Sequence, residues 1–201
     1  MNKKSNPCTD NLTDEEYLTH MIPHHQVAID MSIELQKKTK KPNMIYLSRE
    51  IIRKQGYEIW EMEMIKKNIQ FNYIPLHSNN NIYQSNELNH TRSINYSIYD
   101  KNINENNCNV KNINNECNPL FFDPDAHKKH MKHMNINDKS YLNHMIPHHQ
   151  VAINMSKRLL LYTNNSYLRD FCYQLIINQQ AEIFYMKSLL KDMNMYESNE
   201  F

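Results

Sequence analysis

Tyr17 to Ser32 reads YLTHMIPHHQVAIDMS, and 124 positions further on Tyr141 to Ser156 reads YLNHMIPHHQVAINMS, the two differing only at Thr19/Asn143 and Asp30/Asn154. With the same offset and no gap, the next 37 residues (Ile33 to Ile69 against Lys157 to Met193) agree at only 8 positions. Those 8 include Gln55/Gln179, Glu58/Glu182, Ile59/Ile183 and Met62/Met186. A duplicated apolar scaffold keeps its apolar character everywhere and drifts in identity. Here the copies drift along their length and agree at imidazole, thioether, amide and carboxylate groups, which is the pattern of a site carried twice.

Working outward, Thr13 followed by Asp14, Glu15 and Glu16 has the form of a capping box with acids in the first turn, so a helix is expected from there to about Lys38. The polar, proline-containing Thr39 to Asn43 stops it, and Leu47, Ile51, Ile52, Ile59, Met62 and Ile65 return at helical spacing over Met44 to Ile69. In the second copy Asn137 or Asp138 caps a helix to about Tyr162, a TNNS turn follows, and Ser166 to Met193 returns. Each hairpin alone leaves its apolar stripe open. Packing the two about a pseudo-two-fold axis buries both, so the expected fold class is all-α, a four-helix bundle built from two repeated helix hairpins joined by a long Asn-rich linker. The domain plan is a disordered tail over 1–13, a first hairpin over 14–69, a mostly disordered linker over 70–126, and a His/Met segment with the second hairpin over 127–195. The two hairpins together make one bundle.

Projected at about 100° per residue, Tyr17, His20, Met21, His24, Ala28, Met31 and Leu35 share one stripe. His25 and Ser32 lie on its border, with Gln26, Asp30 and Ile33 behind. On the partner helix Leu47, Ile51, Gln55, Glu58, Ile59 and Met62 share a face, and a buried Glu58 needs a partner that the facing histidines supply. By symmetry the bundle centre is expected to collect His20, His24, Glu58, Met21, Met31 and Met62 with His144, His148, Glu182, Met145, Met155 and Met186. Pro23 and Pro147 fall where the helices continue. Either they kink helices that pass through them, or the helices begin at the prolines.

Imidazole with thioether suits copper: methionine sulfur favours Cu(I), and histidine serves Cu(I) and Cu(II) alike. Zinc would use the His and Glu but has little use for Met, so it ranks below copper. A di-iron carboxylate site of the bundle type needs Glu-x-x-His at inward positions, which this chain lacks. A second tract, HKKHMKHM, puts His127, His130, Met131, His133 and Met134 within eight residues just before the second hairpin. It reads as a secondary metal site or, equally, as a basic capping segment.

Composition narrows the rest. The chain has 201 residues and a net charge of +1, with no basic stripe, which gives no case for nucleic acid. Its apolar runs fall far short of a membrane span, and no apolar h-region follows the N-terminal lysines, so an intracellular location is the default expectation. Four cysteines without a CxxC indicate neither a zinc knuckle nor a disulfide framework, and a single glycine disfavours β-rich folds and phosphate-cradling loops.

The motif MIPHHQ-x-AI-x-M followed by Q-x-x-EI-x-x-M resembles the bacterial domain-of-unknown-function family 305, of the ferritin-like superfamily, over Asp14 to Ile69 and His127 to Met193. The resemblance implies a four-helix bundle. It carries metal binding onto Met21, His24, His25 and Met31 and onto Met145, His148, His149 and Met155. The family includes copper-binding proteins that are often exported. This chain departs from it in its long Asn-rich linker, in lacking an export signal, and in carrying His20 and His144 where family sequences often have Met. The expected function is non-enzymatic copper binding, for sequestration, resistance or delivery. Metal ions, and a protein that donates or receives copper, are the implied partners. The competing readings are a metal-dependent oxidoreductase with His/Glu sites and an interaction module whose His/Met core is purely structural.

Overall fold

The computed structural model describes residues 12–70, 129 and 134–198. Among them are four α-helices: α1 (Asp14–Gln36), α2 (Pro42–Gln70), α3 (Asp138–Leu159) and α4 (Ser166–Ser198). No helix among the described residues is long and apolar enough to cross a membrane.

Local chemistry sets where each helix starts. At the head of α1 the Glu16 backbone N–H donates to Thr13 Oγ1 at 3.2 Å and the Thr13 N–H donates to Glu16 Oε2 at 2.9 Å, a complete capping box. Asn137 plays the same part for α3, accepting from the Ser140 N–H on Oδ1 at 2.9 Å while its own N–H donates to Ser140 Oγ at 2.9 Å. Pro42 opens α2, where its missing N–H costs nothing. Asn165 Oδ1 accepts from the N–H groups of Tyr167 and Leu168 at 3.0 and 3.2 Å to start α4. Both α1 and α3 run unbroken through Pro23 and Pro147, so neither helix begins at its proline. The fourth helix continues past the expected end at Met193 to Ser198.

Each hairpin is closed by its own helices, α1 on α2 and α3 on α4, and the hairpins meet through α1 and α3. That central contact is antiparallel and symmetric. Tyr17 Oη lies 2.7 Å from Ser156 Oγ, and its repeat counterpart Tyr141 Oη lies 2.7 Å from Ser32 Oγ. Each serine hydroxyl donates to the carbonyl one turn back, Ser32 to Ala28 at 2.7 Å and Ser156 to Ala152 at 2.9 Å, so the tyrosines are the donors across the interface. Burial pushes both phenol pKa values up, which keeps these hydroxyls protonated. The shared core runs through Leu18, Met21, Met31, Leu35, Ile51, Met62, Leu142, Met145, Met155, Leu175 and Met186. Fully burying each such side chain contributes roughly 1.5–3 kcal/mol.

Three boundaries differ from expectation. Leu12, placed in the tail, is buried against the core, and Thr13 caps α1. His25 and Ser32, placed on the border of the stripe, are fully buried, because α1 is flanked by both α2 and α3 and the covered arc is wider than one partner alone would make it. His20 and His144, placed at the bundle centre, are only half-buried at the rim of that arc. The linker over 71–126 and the histidines His127, His130 and His133 with Met131 lie outside the described residues. Met134, the last member of that tract, is partly buried against the core.

Candidate metal centre

The inner residues of the repeated motif meet at the middle of the bundle. His24 and His148, equivalent positions of the two copies, stack face to face with ring centroids 3.7 Å apart and planes at 21°. They are at most 2% exposed. Beside them on the same two helices, His25 and His149 are completely buried, with ring centroids 6.1 Å from His24 and 6.2 Å from His148 respectively. His144 approaches the group from the rim, its ring 6.2 Å from that of His148. One turn before and two turns after each stacked histidine, Met21 and Met31, or Met145 and Met155, are fully buried on the same helix face. Met62 and Met186 are fully buried on α2 and α4.

The neighbouring helices supply the carboxylates. Glu58 Oε2 on α2 lies 2.8 Å from His25 Nε2, and Glu182 Oε2 on α4 lies 2.9 Å from His149 Nε2. An ionised carboxylate only accepts, so each ring donates from Nε2 and leaves Nδ1 for another partner. Both of those Nδ1 atoms are buried and make no hydrogen bond among the described residues. A carboxylate holding one ring nitrogen while the other keeps a lone pair is the arrangement by which metal-binding histidines are oriented. The glutamates thus pair with His25 and His149, and the stacked His24 and His148 occupy the axis between the copies.

Glu182 also receives the Lys54 Nζ of α2 on Oε1 at 3.0 Å. Burial alone would raise its pKa, but the hydrogen bond and charge of His149, with Lys54, outweigh that and hold it below the usual carboxylate value. A depressed folded-state pKa contributes stability that is present above the unfolded carboxylate pKa and is lost as pH falls through the folded one. Glu182→Gln is therefore expected to lower the urea midpoint at neutral pH, with the gap to the parent closing as pH falls below the ordinary carboxylate range. A gap independent of pH would show that Glu182 acts by packing alone.

Sequence reasoning left two features out of the site. Gln55 and Gln179, one turn from the glutamates, are 1% exposed and neither atom of either amide finds a hydrogen bond among the described residues. Their identity in both copies was the available signal. Cys172, the free cysteine of the described residues, is buried beside Tyr17 and Ser156, and burial pushes its pKa up to about 12, so it stays a protonated thiol. Among the described residues no three His, Cys, Asp or Glu side chains converge as a ready cluster for one ion. A surface cavity of about 980 Å³ lies where Lys41 to Met44 meet Asn137 to Lys139 and the C-terminal part of α4, and no histidine lines it.

Comparison with known proteins gives the family. A model of the family described as "Domain of unknown function (DUF305)" matches residues 4–66 and 118–193. Among solved structures, CopM in its Cu(II)-bound form is 24% identical with a TM-score of 0.58, covering 92% of this chain and 99% of that one. CopM in its Cu(I)-bound form is 25% identical with a TM-score of 0.57, covering 90% and 98%. A DUF305 fragment from Deinococcus radiodurans is 18% identical with a TM-score of 0.52, covering 89% and 95%. An uncharacterised protein, L153, of Acanthamoeba polyphaga mimivirus is 43% identical over 60 residues, which span 30% of this chain and 40% of that relative. Both matched segments of the family model fall on the two hairpins and the approach to the second, and together they span most of the chain, which therefore belongs to the DUF305 family.

Proposed function

We propose that this protein is a non-enzymatic copper-binding protein whose cargo ion, with Cu(I) preferred, is held by the imidazoles and thioethers at the junction of α1 and α3. The observation that carries this reading is the pair of buried Nδ1 atoms on His25 and His149 that make no hydrogen bond among the described residues, each in a ring held at its other nitrogen by a glutamate. Burying imidazole in an apolar core is costly unless its nitrogens are engaged, and this chain does so in both copies of the motif. Copper ligation engages them. Met21, Met31, Met145 and Met155 are fully buried on the same helix faces as these imidazoles, and thioether selects soft Cu(I) over zinc. The fold shared with CopM, solved in a Cu(I)-bound form at 25% identity, supports the same reading.

The test is anaerobic titration of the purified full-length chain with Cu(I) against a chromogenic Cu(I) chelator, with oxygen consumption followed in a parallel sample. A defined stoichiometry without turnover is expected. Catalytic oxygen consumption would move the protein to the oxidoreductase class, and failure to compete with a weak chelator would make the His/Met core structural.

A further inference from the structure

The two halves of the centre carry the same residues but not the same surroundings. In the α3/α4 half, Glu182 is shared: Oε2 is 2.9 Å from His149 Nε2 and Oε1 accepts from the Lys54 ammonium at 3.0 Å. The repeat counterpart of Lys54 is Asn178. The pseudo-two-fold relation that puts Lys54 on Glu182 brings Asn178 opposite Glu58, and these two residues line one groove of about 320 Å³ between α2 and α4, which Arg53 and Lys54 also line, Lys54 with its ammonium bonded to Glu182 and Arg53 with its guanidinium bonded to Glu50. Among the described residues Glu58 has His25 as its ion-pair partner and no lysine or arginine. With the two imidazole–carboxylate pairs in the same state, the His149–Glu182 half carries one positive charge more than the His25–Glu58 half, the Lys54 ammonium.

That difference bears on any cation entering the centre. A carboxylate behind an imidazole strengthens the ring as a donor, and an ammonium on the same carboxylate withdraws that effect while adding a positive charge close to the ion. A monovalent ion joining the first half meets the Glu58 carboxylate with no ammonium bonded to it. Joining the second half, it meets the half-buried Lys54 ammonium as a further positive charge close by.

We infer that the duplicated centre is electrostatically graded: a copper ion loads first on the His25–Glu58 half, and Lys54 makes the His149–Glu182 half the weaker one. This rests on the copper-binding reading. The consequence is a protein that retains one ion while a second exchanges, although the ligand residues of its two copies are the same.

The experiment uses the full-length chain labelled with ¹⁵N-histidine, given sub-stoichiometric Cu(I) anaerobically, with the ring signals of His25 and His149 followed by NMR. The His25 ring responds first, with an occupancy ratio of roughly tenfold or more over His149. Lys54→Met brings the two responses together, Lys54→Arg preserves their order, and Asn178→Lys levels them from the other side. If His149 responds with or before His25 in the parent, or if Lys54→Met leaves the order unchanged, the grading is wrong. If neither ring responds while chelator competition still reports Cu(I) binding, the grading falls and copper binding stands. If no Cu(I) binds at all, both fall.

Discussion

Replacing His24 and His148 together by alanine is expected to lower Cu(I) affinity by about a hundredfold or more, the scale seen when even a supporting residue of a metal site is lost. These two rings stack at 3.7 Å on the axis relating the copies and lie next to His25 and His149, so the pair brings imidazoles of both halves into the same few ångströms. The control is His77→Ala with His90→Ala, two histidines of the stretch between the copies. They have the same chemistry without the repeated motif around them. Competition with a chromogenic Cu(I) chelator reads both variants, and far-UV circular dichroism confirms that the bundle persists. Equal losses in the two variants would mean that copper is bound in proportion to histidine number, with no contribution from the core.

Changing Met21, Met31, Met145 and Met155 together to leucine separates ligation from packing. All four side chains are fully buried, so a purely structural role predicts a small effect: Leu for Met is nearly volume-conserving and costs under about 1.5 kcal/mol at each position. A ligand role predicts something different. Cu(I) affinity falls by roughly tenfold or more while zinc binding is spared, because leucine offers no sulfur and zinc makes little use of thioether. Urea midpoints measure the first quantity, and parallel Cu(I) and zinc competition measures the second. If the four-site variant holds Cu(I) as tightly as the parent, the methionines are core filler and the centre is a His/Glu one suited to zinc or Cu(II).

The helices were legible because their signals are local. Thr13 with Glu16 forms the capping box that their spacing predicts, the TKKPN and TNNS stretches break the helices, and the apolar residues of both copies recur at the period of an α-helix. The inward placement of Met21, His24, Met31, Gln55, Glu58 and Met62, and of their counterparts, followed from the same period. What the period could not supply was the width of the buried arc. A helical projection ranks directions on one helix but does not say how many neighbours cover it, so it leaves on the border His25 and Ser32, which are buried. The same projection turns His20 inward, where it is half-buried.

Partner choice lay further from reach. That Tyr17 meets Ser156 and Tyr141 meets Ser32 depends on α1 and α3 crossing antiparallel, a relation between residues 139 and 109 positions apart. That Glu58 takes His25, while His24 turns to its own copy, depends on which flank of α1 faces α2 and which faces α3.

By itself, then, the amino-acid sequence determined that the protein has two copies of one helical hairpin, where those helices begin, and which chemistry lines their inner faces. Capping and periodicity act within a few residues, and a gapless repeat needs no third dimension to be seen. Only the tertiary structure decided that the repeat axis passes between two stacked imidazoles, and that each glutamate orients the second histidine of its motif. It also decided that Lys54, an unremarkable residue of α2, reaches the carboxylate of the other hairpin where Asn178 leaves its counterpart without an ammonium. Those contacts join side chains far apart in sequence. They are set by how the packed helices cross and rotate against one another, a property of the packed core as a whole.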